Sequence, residues 1–227
     1  MTQQYTHSIT KEAISELPLE EFTGRIIVID TLRDVEKAVG YLSEFQSVGF
    51  DTETRPSFKK GQRYKISLMQ ISTDEACFLF RLNRIGIPEA LEEFLANEKV
   101  LKIGLSLRDD FGAMRKRTDI QPANFLDLQN YVGQFGIEDA SLQKIYAILF
   151  NKKMLRFHPW VFSGAIQTIE GEPEEGDLVE VYGTNGRFLG IGHYQIGSIA
   201  VRILSFKPVT IDAAFWEERI RIAYTLR

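Results

Sequence analysis

Between residues 25 and 150 the hydrophobic period switches repeatedly between that of a strand and that of a helix, and few folds satisfy such a pattern. Arg25-Ile26-Ile27-Val28-Ile29 is a β-branched run that reads as a strand. Asp30 or Thr31 is placed to cap a helix after it. There Leu32, Val35, Ala38, Val39, Leu42 and Phe45 recur at helical spacing and form one apolar face. A second strand, Val48 to Glu53, starts apolar and ends in acids. Ile66 to Ser72 and Ala76 to Leu82 read as a hairpin joined by Thr73-Asp74-Glu75. Pro88 starts a helix through Leu91, Phe94 and Leu95, and Val100 to Gly104 is a further strand. Ser106 is placed to cap a helix reaching about Lys116, and Ser141 opens another through Leu142, Ile145, Ile148 and Leu149, with a short apolar run, Phe125 to Leu128, between them. Strands alternating with helices around one hairpin predict an α/β domain with a mixed sheet. The acids fall at strand ends and helix starts, where sites in α/β folds form.

The sharpest of these positions is Phe50-Asp51-Thr52-Glu53-Thr54. Alternate side chains of a strand share a face, so Asp51 and Glu53 point the same way. Two carboxylates that close repel unless a cation lies between them, and a hard divalent ion with oxygen ligands is the usual partner. The same spacing also describes the polar end of a strand entering a loop. Residues 55–65 bring Arg55, Lys59, Lys60, Arg63 and Lys65 directly after the acids, so the segment is either a phosphate-contacting loop or a solvated turn. Asp109 and Asp110 sit in the first turn of a helix, where acids also suit the helix dipole.

Composition narrows the function classes. The 227 residues are 44% hydrophobic and 26% charged, a globular balance long enough for one large domain or two small ones. A net charge of −4 gives no global basic field, so nucleic acid must be held by local patches or by metal ions. The one cysteine, Cys77, excludes an intramolecular disulfide framework and lies in an apolar run as a buried thiol. No run approaches the ~18 apolar residues of a membrane span, and Met1 to Pro18 is too polar for a signal peptide. A cytoplasmic protein without a membrane partner is expected.

Three segments together resemble the ribonuclease D-like 3′–5′ exonucleases of the ribonuclease H-like DEDD superfamily. They are Val48 to Glu53, Ile66-Ser67-Leu68-Met69-Gln70-Ile71-Ser72, and Lys102-Ile103-Gly104-Leu105-Ser106-Leu107-Arg108-Asp109-Asp110. The resemblance covers about residues 25–152. It implies a ribonuclease H-like mixed sheet with flanking helices and two-metal phosphodiester hydrolysis with two magnesium or manganese ions. The family's first motif maps onto Asp51 and Glu53. Its second has an Asp six residues after a Gly, which maps onto Gly104 and Asp110 and makes Asp109 a neighbour. Thr52, Arg55, Lys59, Lys60, Arg63 and Arg108 are then the candidate contacts to single-stranded nucleic acid, RNA first. The family's third motif, a Tyr followed four residues later by Asp, is absent. None of the eight tyrosines has Asp at that offset, and none of the three histidines has Asp five residues on.

From Arg156 a second resemblance takes over. Arg156-Phe157-His158-Pro159-Trp160-Val161-Phe162-Ser163-Gly164-Ala165-Ile166 is similar to the opening of the class I SAM-dependent ribosomal-RNA large-subunit cytosine methyltransferases, which begin with a PUA-like RNA-binding domain. Pattern agrees with it. Asp177 to Tyr182, Phe188 to Tyr194 and Ile199 to Leu204 are short β runs, with a hairpin signal at Gly183-Thr184-Asn185-Gly186, and they predict a small β-barrel. After Phe206 comes one helix with Phe215, Ile220, Ala223 and Tyr224 among its apolar positions and no Gly-rich cofactor loop, so SAM is not expected.

The expected layout is an N-terminal arm over 1–24, a C-terminally incomplete exonuclease domain over 25–153, a PUA-like domain over 154–206 and a helix over 207–227. The sheet's missing covering helices should leave an exposed apolar patch. Two functions follow. One is a 3′–5′ exonuclease weakened by the absent fourth carboxylate, with Asp51, Glu53 and Asp110 as metal ligands. The other is a non-catalytic RNA-binding protein that uses the PUA-like module. His158 and His193 read as structural residues, Asp127 as a strand-end acid, and Glu138, Asp139, Glu172, Glu174 and Glu175 as solvated acids.

Overall fold

The computed structural model describes residues 5–54, 64–154 and 159–225. The chain divides into two compact units, residues 1–155 and 156–227. Arg55, Lys59, Lys60, Arg63 and His158 lie outside the described residues.

The first unit begins with α1 (Lys11–Glu16) and β1 (Leu19–Glu20). Then follow β2 (Arg25–Ile29), α2 (Leu32–Leu42), β3 (Ser47–Thr54), β4 (Ile66–Ser72) and β5 (Ala76–Arg81). Next come α3 (Leu82–Ile85), α4 (Glu89–Leu95), β6 (Leu101–Gly104), α5 (Leu107–Met114), β7 (Phe125–Asp127) and α6 (Leu128–Tyr131). The unit closes with α7 (Leu142–Phe150) and β8 (Lys153–Met154). Six strands form one mixed sheet in the order β2-β5-β4-β3-β6-β7. β4 runs antiparallel to both β5 and β3, and the other pairings are parallel.

One face of this sheet carries the core. Val35, Ala38 and Leu42 of α2, Leu91, Phe94 and Leu95 of α4, and Leu107 and Met114 of α5 pack on Phe50, Met69, Ile71, Phe78 and Phe80. Each of these strand positions lies at even spacing from its neighbours, as a one-sided core requires. A smaller cluster gathers Val132, Ile137 and Ile145, with Tyr5, Leu105, Leu128, Ile148 and Leu149 against it. The register sets the other face. Val28 pairs with Leu79, Leu79 with Gln70, and Gln70 with Asp51, so these four side chains make one rung across the sheet. Ile26 and Val28 on this face, in the edge strand β2, are 66% and 44% exposed, whereas Cys77 beside Ile26 is buried at 7%.

The N-terminal segment is tied down more firmly than a loose arm. Thr10 caps α1 by accepting from Ala13 N at 3.2 Å, and Ile14 is buried. β1 pairs in parallel with β8, and Lys153 N donates to Pro18 O at 2.9 Å. Lys152 pairs with Glu20. Glu138 N donates to His7 O at 2.8 Å, and Ile9 N donates to Asp139 Oδ2 at 2.9 Å. Asp139, expected in solvent, therefore holds backbone, and its other oxygen takes Lys144 Nζ at 2.6 Å.

The second unit is a four-stranded antiparallel sheet of β9 (Trp160–Phe162), β10 (Leu178–Tyr182), β11 (Phe188–Tyr194) and β12 (Ile199–Ser205), in the order β10-β11-β12-β9. Gly186 turns the β10–β11 hairpin at φ +73°, a conformation glycine reaches without strain. Asp212 Oδ1 accepts from Phe215 N at 2.9 Å at the start of α8 (Ala213–Thr225). His193 is structural, with Nδ1–H donating to Gly176 O at 2.6 Å and the ring stacked on Trp216 at 6.1 Å. Ile220 and Tyr224 of α8 are 67% and 78% exposed, so these two of the apolar positions read from the sequence face water, while Phe215 is half-buried. Among the described residues no helix is long and apolar enough to cross a membrane.

Candidate active site

β3 lies between β4 and β6, but it pairs with β6 only over Ser47, Val48 and Gly49. Past Gly49 the β6 side of the strand is open, because β6 ends at Gly104 and the chain turns away into α5. Asp51 and Glu53 stand at this opening. It is the kind of crevice where α/β folds place ligands.

The turn into α5 depends on Gly104. A Cβ there would lie 2.4 Å from Leu107 Cδ2 and 2.8 Å from Phe50 O, so glycine lets the helix start close against β3. Ser106 adopts left-handed backbone at φ +59°, rare for a residue with a side chain. Its hydroxyl makes no cap. The cap comes from Asp127, whose Oδ1 accepts from Ser106 N and whose Oδ2 accepts from Leu107 N, both at 3.0 Å. Asp110, one turn into α5, is 8% exposed, and the Thr52 hydroxyl donates to its Oδ1.

The three motif carboxyls lie on both sides of one strand. Asp51 and Glu53 point to the open face, and Thr52, between them, points to the face on which α5 packs and meets Asp110 there. Burial raises all three, and the Asp51 charge adds to the shift of the other two. Burial pushes Asp51 up, opposed by the Thr52 backbone N–H. Burial and then the Asp51 charge push Glu53 up. Burial raises Asp110, the Thr52 hydroxyl opposes this, and the Asp51 charge adds to it. No ion pair among the described residues involves any of the three. Among the described residues no three His, Cys, Asp or Glu side chains converge as a metal would require. The donor chemistry nonetheless suits a hard divalent ion, since all the donors are carboxyl oxygens.

The other expected contacts divide. Thr52 spends its hydroxyl on Asp110. Arg108 and Asp109 are exposed in the first turn of α5. Sequence reading missed the role of Asp127. No local pattern marks an acid as the cap of a helix that starts twenty residues before it. Only the parallel register, which sets Gly104 beside Asp127, brings the two together.

Comparison with known proteins agrees with both units. The family model described as 3′-5′ exonuclease matches residues 26–155, and the one described as PUA-like domain matches residues 149–206. The ribosomal RNA large subunit methyltransferase I of Aeromonas salmonicida is 41% identical over 78 residues, which is 34% of this chain and 20% of the relative. The methyltransferase of the same name from Vibrio vulnificus is 42% identical over 77 residues, 34% of this chain and 19% of the relative. The chain thus spans about a fifth of the length of these curated relatives. The catalytic core of RRP6 from Trypanosoma brucei shares the fold at a TM-score of 0.53 and 17% identity, covering 74% of this chain and 44% of that one. With its family model matched over more than half of its length, the chain belongs to the 3′-5′ exonuclease family and carries a PUA-like domain behind the exonuclease domain.

Proposed function

We propose that the chain is a metal-dependent 3′–5′ exonuclease acting on single-stranded RNA, slowed by the absence of a fourth carboxylate. The observation that carries this reading is the placement of Asp51 and Glu53 on one face at the end of β3, with Asp110 held against Thr52 between them and no cation paired to the three among the described residues. Asp51, Glu53 and Asp110 would hold magnesium or manganese. Bound ions would supply an activated water and charge stabilisation on the phosphate. The chain's own residues do the rest. Thr52 holds Asp110 in place, and Arg108 offers an exposed cation two positions away for substrate phosphate. Arg55, Lys59, Lys60 and Arg63 are proposed as further phosphate contacts.

The test is a magnesium- and manganese-dependent assay on 5′-labelled single-stranded RNA and DNA. Slow stepwise shortening, abolished by chelator and by Asp51→Ala, is the expected result. Turnover that survives Asp51→Ala would remove the metal assignment. A second reading, an RNA-binding protein without catalysis, is favoured by the PUA-like match over residues 149–206. Tight binding to structured RNA in chelator, with no cleavage in either metal, would select it.

A further inference from the structure

Asp127 has no part in the matched motifs, yet its carboxylate gathers three backbone N–H groups. It accepts from Ser106 N and Leu107 N at 3.0 Å each, across the β6–α5 turn, and from Gln129 N at 3.0 Å at the start of α6. A carboxylate receiving N–H groups makes charge-assisted bonds stronger than neutral ones. Two of these donors open α5, the helix that carries Asp110. The turn they close contains Ser106 at φ +59°, a conformation that persists only where its surroundings hold it. Gly104 brings this turn against Phe50 O, and Thr52 takes Asp110 one helical turn later. The chain of contacts therefore runs from Asp127 through the start of α5 to Asp110 and Thr52.

We infer that Asp127 is a positioning residue for the carboxylate site: it fixes where α5 begins and so where Asp110 stands beside β3. This rests on the reading of Asp110 as a metal ligand. The device resembles outer partners of metal ligands in general, which orient a ligand without touching the ion and whose loss typically weakens binding roughly 10–100-fold.

The experiment compares the full-length protein with Asp127→Ala, Asp127→Asn and, as a control, Asp139→Ala. Asp139 also holds a backbone N–H, that of Ile9, but away from α5. Manganese affinity is read by electron paramagnetic resonance, and the Thr52–Asp110 contact by crystal structures. Manganese affinity should fall roughly tenfold or more in Asp127→Ala, with Asp127→Asn intermediate and Asp139→Ala unchanged at a similarly lowered melting temperature. The Thr52–Asp110 contact should be broken in Asp127→Ala and kept in the control. Unchanged affinity in Asp127→Ala, or an equal loss in Asp139→Ala, would overturn the inference. So would a Thr52–Asp110 contact retained in Asp127→Ala. If the unmodified protein binds no manganese while Asp127→Ala breaks the contact, the metal-site reading falls and the positioning role stands.

Discussion

Lys102 carries an amine into the core at 0% exposure. Its Nζ donates to Asn97 O at 2.6 Å and lies 5.8 Å and 5.1 Å from the ring centres of Phe94 and Phe125. One carbonyl and two ring faces replace water only in part, and burial lowers the amine's pKa from 10.5 to about 8. The sign follows from linkage. In the unfolded chain the amine keeps its proton to about pH 10.5, whereas the fold releases it near 8. The folded state therefore holds fewer protons between these values, and stability rises with pH across that window. Below pH 8 the penalty is complete, and above 10.5 it is gone. Denaturant melts at pH 8, 9 and 10 should show a gain of at most about 1.4 kcal/mol per unit from this residue, and Lys102→Met should remove that gain. The motif acids belong to the same scale. Burial raises Asp110, so ionising this buried carboxyl costs the fold locally.

At the level of elements, the β6–α5 connection decides whether Asp110 reaches β3. Gly104→Ala would set a methyl 2.8 Å from the Phe50 carbonyl, which is backbone and yields little. The helix start must then move outward. Chemical denaturation should show a loss of about 1–3 kcal/mol, and cleavage should fall by more than the loss of folded protein explains. The strands and the principal helices of the α/β sheet were legible from hydrophobic period, because one-sided burial writes that period directly. Val35, Ala38 and Leu42 are buried as the spacing required, whereas Leu32, on the same stripe, is 60% exposed at the helix start. Asp51 and Glu53 share a face as their spacing required, and the relation of Asp110 to them was legible only through family resemblance. What sequence could not show was long-range pairing. Ser106 looked like a cap and Asp127 like a strand end, but the parallel register of β6 with β7 hands the cap to Asp127. Leu82 read as the last residue of a strand, and instead it opens α3, where Gly86 at φ +66° ends the helix.

For the whole molecule, the two units carry separate hydrogen-bonded sheets, and a melting transition for each is the expected outcome. Gly192 offers a selective probe. A Cβ there would lie 2.1 Å from Arg202 O on the neighbouring strand, so Gly192→Ala forces the β11–β12 ladder apart. Calorimetry of the intact chain should give two transitions, with one lowered by several degrees in Gly192→Ala and the other unmoved.

The pairing of β1 with β8 joins residues 19–20 to residues 153–154, almost the whole length of the first unit. All six strands of its main sheet are complete by Asp127. During synthesis, which proceeds from the N-terminus, the sheet can therefore assemble while the first two dozen residues still have no partner. Contacts this distant in sequence are slow to form because the intervening chain must first be ordered. His7 and Ile9 can meet Glu138 and Asp139 first, and β1 waits until Lys153 has left the ribosome, when the PUA-like unit is the next stretch to emerge. The last fastening of one unit thus coincides with the birth of the next, and the junction near residue 155 acts as a clock for the order in which the chain is finished.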